Sequence, residues 1–136
     1  MTKEIHQRVT IRAAPSKVFE ALIDEKKHAA FTGAPTKIHR KVGGTFSCFG
    51  GYLNGITLEL EPAKRIVQAW RSRNWPKGTY SIVTFNFIKA AKGQTRLEFT
   101  QVGVPSGDFK QKSSGWRKRY WQPLKRFLEI KKKQKI

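Results

Sequence analysis

A chain of 136 residues holds one domain with a single sizeable core, and 12% aromatic residues argue against general disorder. One cysteine, Cys48, excludes an internal disulfide and a thiolate-rich metal centre. The formal net charge of +19, from 28 Lys plus Arg against 9 Asp plus Glu, predicts attraction to anions: nucleic acid, an acidic membrane or an acidic protein.

The opening IHQRVTI sets Ile5, Gln7, Val9 and Ile11 against His6, Arg8 and Thr10. This is a period-two pattern that predicts a first strand over about 4–12, with a mixed inner face. Pro15 suits the first turn of a helix, where its missing N–H is harmless, and Val18, Phe19 and Leu22 continue one apolar stripe. A second short helix is expected over Glu25 to Phe31, stopped by TGAP. Residues 36–102 then read as antiparallel strands, the first two over about 36–42 and 45–50 around the KVGGTF turn. GG at 50–51 and NG at 54–55 permit positive φ and predict a bend, bulge or short hairpin. Ile56, Leu58 and Leu60 alternate with Thr57 and Glu59, and EPAKR turns that strand into IVQAWRS. NWPKG makes the next turn; Val83, Phe85 and Phe87, then Leu97 and Phe99, alternate on either side of AAKGQ.

VPSGD breaks the strand pattern, after which Trp116, Tyr120, Leu124, Phe127 and Leu128 recur at helical spacing. Pro123 removes the bond to the Arg119 carbonyl and predicts a kink or a shifted helix start. The expected fold class is therefore α+β. A curved antiparallel sheet of about six to seven strands wraps a long C-terminal helix, with two short helices between strands 1 and 2. Residues 1–130 form this single domain, and 131–136 form a flexible basic tail.

Catalytic signals are weak. His6, His28 and His39 stand alone, no hydrolase, metalloprotease or phosphate-loop motif occurs, and Cys48 has no histidine partner that spacing identifies. The expectation is a protein without catalytic residues, metal or cofactor. Residues 110–136 hold 11 basic side chains and one acid, Glu129, which reads either as a solvated face or as a docking patch. Trp75, flanked by Arg71, Arg73 and Lys77 beside Pro76 and Gly78, either folds back over the sheet edge or forms an exposed aromatic-plus-basic contact. Phe46, Leu58, Phe85, Phe87, Phe99, Trp116, Tyr120 and Leu124 are expected to meet between sheet and helix. They fill a solid core or line a cavity for a small apolar ligand. Nucleic acid is expected only as a non-specific electrostatic ligand, because the aromatics alternate inward and motifs of dedicated readers are missing. No apolar run reaches the roughly 20 residues of a bilayer span and the start lacks a secretory signal, so integral membrane association is not expected and a cytoplasmic location is.

Several segments, taken in order, carry a family resemblance: APSKVFEAL, AFTGAP, VGGTFSCFGGYLNG, LEPAKRIVQAWR, NWPKG and GWRKRYWQPLKRFL. Over about residues 5–129 the chain resembles the C-terminal-type domain of the family named for the activator of heat-shock protein 90 ATPase, within the START-like, helix-grip superfamily. The resemblance implies a helix-grip fold. It also implies binding to the 90-kilodalton chaperone and stimulation of its ATP hydrolysis, with no nucleotide-hydrolysing site in the domain itself. Exposed Trp75, with Arg71, Arg73 and Lys77, is the contact expected under that reading, and the basic tail would steer association.

Overall fold

The computed structural model describes residues 1–133. Strand β1 (Thr2–Ile11) leads into helix α1 (Pro15–Ile23), with Pro15 in its first turn and Val18, Phe19 and Leu22 buried. Helix α2 (Glu25–Thr32) starts on Asp24, whose carboxylate accepts from the Lys27 amide at 3.0 Å. It ends on Gly33, whose φ of 70° closes the helix in the left-handed region that glycine reaches without strain.

Six further strands follow: β2 (Thr36–Ile38), β3 (Thr45–Cys48), β4 (Leu53–Glu61), β5 (Arg65–Ser72), β6 (Ser81–Lys89) and β7 (Thr95–Pro105). They pair antiparallel in the order β1-β7-β6-β5-β4-β3-β2, so the first strand closes beside the last. Strand β2 is shorter than the expected 36–42, because residues 39–44 turn back on themselves, the Lys41 and Gly44 amides donating to the His39 and Lys41 carbonyls. The NG pair lies inside β4 rather than at a hairpin tip. Gly55 there makes room: a Cβ would stand 1.8 Å from the Ala69 carbonyl oxygen and 2.6 Å from the Phe46 ring.

The final helix comes in three pieces: α3 (Phe109–Trp116), a π-turn (Arg117–Trp121) and α4 (Gln122–Lys133). Part of the basic tail expected over 131–136 lies outside the described residues. Pro123 is met by this wide turn immediately before it, where the Gln122 amide bonds back to the Arg117 carbonyl. A π-turn adds one residue to the helical repeat. Tyr120 and Trp121 are therefore both buried, with Trp116 before them and Leu124 after.

The core sits between this helix and the concave sheet face, where Ile66, Val83, Phe85, Phe87, Leu97 and Phe99 point inward. One expectation fails. Leu58 is 46% exposed and Ile56 is 36% exposed, on the outer face. Gly55 and Thr57 face inward instead, because Trp70 lies opposite Gly55 and Gln68 opposite Thr57, and a bulge between Thr57 and Glu59 follows. A small inward residue opposite a tryptophan inverts the parity that alternation alone suggests.

Replacing Gly55 with Ala forces β5 away from β4 and is expected to cost about 1–3 kcal/mol, as overpacking does. Urea unfolding of the G55A variant checks this; an unchanged midpoint would contradict the close approach.

Candidate functional site

Four tryptophans organise the space beneath the final helix, and each indole N–H has an acceptor. Trp116 donates to Gln101 Oε1 at 2.8 Å, Trp121 to Gln7 Oε1 at 2.6 Å, Trp70 to Gln68 Oε1 at 2.8 Å, and Trp75 to Asp108 Oδ2 at 2.8 Å. Rings close the gaps between them. Phe99 lies 4.3 Å from Trp116, Trp116 lies 4.5 Å from Tyr120, and Phe85 reaches Phe99, Trp116 and Trp121. Of the residues expected to meet here, Phe46, Phe85, Phe87, Phe99, Trp116, Tyr120 and Leu124 do so and are buried; Leu58 does not.

The space that remains lies where α3 meets the start of β4 and the end of β5. It is a cavity of about 50 Å³ walled by Phe49, Trp70, Trp75, Trp116 and Tyr120, with Lys112 and Arg119 also lining it. Ser72 also lines it, and its Oγ, fully buried, has no hydrogen-bond partner among the described residues. Lys112 Nζ sits 3.6 Å from Asp108 Oδ2, 5.1 Å above the Tyr52 ring and 5.8 Å above the Trp75 ring. Burial holds the Lys112 ammonium below the usual lysine range, and the Asp108 carboxylate partly offsets that.

Trp75 is 6% exposed and therefore is not the open anchor expected of the NWPKG turn. The physical reason is Asp108, distant in sequence, which offers a charged acceptor to the indole while Lys112 covers the ring. Arg71 fastens the same turn by donating to the carbonyls of Trp75 at 2.8 Å, Pro76 at 3.2 Å and Thr79 at 3.3 Å. Arg73 and Lys77 stand exposed beside it, Arg73 over the Tyr52 ring.

A second cluster escapes a reading of the sequence altogether. His28 is 3% exposed; its Nδ1 lies 2.9 Å from the Leu22 carbonyl and its Nε2 lies 2.9 Å from the Tyr120 hydroxyl. A carbonyl only accepts, so Nδ1 carries the proton and the Tyr120 O–H donates to Nε2. Cys48 Sγ stands 3.8 Å from the same Nε2. Burial pushes the Cys48 thiol up to about 12, so it stays protonated and is no nucleophile at neutral pH. The three residues come from α2, β3 and the π-turn, with no spacing that announces them. Among the described residues, no group of three His, Cys, Asp or Glu side chains is placed to hold a metal. No described helix is long and apolar enough to cross a membrane.

Compared with known families, residues 12–129 match the activator of Hsp90 ATPase homolog 1-like proteins. The chain belongs to this family. An activator of 90 kDa heat shock protein ATPase homolog from Dictyostelium discoideum is 32% identical over 124 residues, covering 91% of this chain and 32% of that protein. Homolog 1 from Homo sapiens is 29% identical, covering 91% of this chain and 36% of its own. The chain thus spans about a third of the length of these curated relatives. A crystal structure of an HSP90 activator from Plasmodium falciparum superposes with a TM-score of 0.84 at 26% identity, covering 88% of this chain and 91% of that one. The solution structure of the Aha1 dimer from Colwellia psychrerythraea has the same fold, with a TM-score of 0.78 at 24% identity over 94% of this chain and 97% of that one.

In this activator-family domain His28 is buried as the neutral imidazole. Desolvation pulls its pKa from 6.5 down to about 4, against the smaller upward pull of the Leu22 carbonyl. The unfolded chain takes up a proton as pH falls below 6.5, whereas the folded chain waits until about 4. Stability is therefore full above the first value and declines toward the second, by up to about 3 kcal/mol. His28→Gln removes this acid sensitivity. Chemical unfolding at stepped pH is expected to show a shallower slope in the variant across that window, and equal slopes would assign the effect to another group.

Proposed function

We propose that the domain is a non-enzymatic co-chaperone that binds a 90-kilodalton heat-shock chaperone and modulates its ATPase. The observation that carries this reading is the Plasmodium falciparum HSP90 activator, matched over nine-tenths of both chains in sequence and fold. The strongly positive charge supports an acidic partner surface, because electrostatic complementarity steers association and fixes register. Arg73 and Lys77 are the proposed contacts at the NWPKG turn; Arg71 and buried Trp75 hold the turn in shape beneath them. A cytoplasmic location accompanies this role. The same charge would bind nucleic acid only as a salt-sensitive, non-specific polyanion.

A second reading, a small ligand between sheet and helix, draws support from one observation: the unpartnered Ser72 Oγ in the aromatic cavity. A buried hydroxyl without a partner costs free energy that a bound polar group would recover. The cavity suits a small ring with a polar head rather than a large apolar molecule. Benzoate at millimolar concentration is the probe: shifts confined to the Trp75 and Trp116 indole N–H resonances support a ligand site, and their absence counts against it.

For the co-chaperone reading, the full chain is titrated into an ATPase-competent 90-kilodalton chaperone at low and moderate salt. Binding with altered ATP turnover is expected, weakening as salt rises. Arg73→Glu with Lys77→Glu should weaken it at least about tenfold, each factor of ten being about 1.4 kcal/mol. If neither binding nor altered turnover occurs at low salt, the reading fails.

A further inference from the structure

The convex face of the sheet carries a feature that core packing does not explain. Strand register places Ile56 opposite Ala69, Ala69 opposite Ile82 and Ile82 opposite Val102. These four side chains form one transverse row across β4, β5, β6 and β7, roughly 14 Å wide at ordinary strand spacing. Ile56, Ile82 and Val102 are 36%, 40% and 44% exposed, and the bulge in β4 leaves Leu58 open beside them. The outward face of a one-sided antiparallel sheet ordinarily alternates to polar residues. Here one aligned outward position on each of four neighbouring strands is aliphatic.

Charge is arranged unevenly around this row. On one side outward cations have carboxylate partners: Arg65 pairs with Glu59, and Arg8 and Arg96 share Glu98. On the other side stand Arg71, over the Tyr80 ring, with Arg73 and Lys77 beyond it. Among the described residues none of these three has a carboxylate within salt-bridge distance. The face thus presents a solvent-exposed aliphatic centre with a cationic border along one edge.

We infer that this convex face is a docking surface for an acidic protein partner, its aliphatic row meeting an apolar ridge and its cationic edge meeting carboxylates. Under the co-chaperone reading, on which the identity of that partner rests, the partner is the chaperone. Desolvated apolar centres with charged rims are the anatomy of specific protein interfaces. A nucleic acid is a poorer fit, because bases stack on aromatic rings and this row is aliphatic. A second copy is opposed by charge: a chain at +19 repels its like, and no acidic edge on this face answers Arg71, Arg73 and Lys77.

The test uses the full chain with the 90-kilodalton chaperone. Leu58→Glu with Ile82→Glu places carboxylates beside and within the row at positions already open to solvent. Its affinity should fall by at least about tenfold, while thermal unfolding stays near wild type. Lys118→Gln with Arg126→Gln, an equal charge change on the outside of the final helix, should leave most of the binding intact. If the Leu58→Glu, Ile82→Glu variant unfolds early, Ile82→Thr with Val102→Thr replaces it and should show a smaller loss in the same direction. Wild-type binding with undiminished binding by the sheet variants overturns the surface and leaves the co-chaperone role standing. No wild-type binding overturns both. Sedimentation at low salt supplies the remaining arm: self-association that Leu58→Glu with Ile82→Glu abolishes would assign the face to a second copy and overturn the inference.

Discussion

The structure depends on giving every buried indole N–H a partner. Each tryptophan brings a large apolar surface and one obligatory donor, and an unpaired donor in the core costs about 1–3 kcal/mol. Gln7, Gln68 and Gln101 answer three of the four from inward positions on three different strands. Gln101 passes the chain on to Ser81, and Ser81 to the Trp70 carbonyl. Gln7 also donates to the Ser113 carbonyl of α3. Because these bonds are directional, they fix how the final helix sits on the sheet, which apolar contact alone would leave free to slide.

That constraint explains what the residues disclosed in advance and what they concealed. Val83, Phe85, Phe87, Leu97 and Phe99 were legible because period-two alternation is local and their strands are regular. Pro15 and Gly33 were legible because helix ends obey local backbone rules. Leu58 was misleading because its neighbour Thr57 is drawn inward by Gln68, an acceptor for Trp70 on the adjoining strand. Trp75 was ambiguous because its partner, Asp108, lies beyond two further strands. Trp121 was unreadable without the π-turn, which shifts the inward stripe by one residue. The His28, Tyr120 and Cys48 cluster had no sequence signal at all, since three distant segments supply it. The glutamines at inward positions were the hint available: polar residues repeating at apolar slots announce buried donors in need of acceptors.

The two faces of the sheet divide the chemistry between them. Inside, polar atoms are almost entirely consumed in holding the lid, and the one cysteine and one buried histidine are kept neutral by the same desolvation. That leaves little capacity for proton transfer or nucleophilic attack. Outside, ion pairs secure one part of the surface while the region around the NWPKG turn retains uncompensated charge.

The pairing of β1 with β7 has a consequence for how the molecule comes into being. Strand β1 gains its neighbour only from residues 95–105, and the Met1 carbonyl beside it receives the Ser106 amide. The final helix comes later still and closes against β1 through Gln7 and through Glu129, whose carboxylate accepts from the Arg12 amide. Contacts of such sequence separation slow folding, because loop-closure entropy is lost before they form. Strands β4, β5 and β6 pair through near neighbours in sequence, whereas the helix residues that cover them follow only after residue 108. The domain becomes cooperative only as its two ends meet.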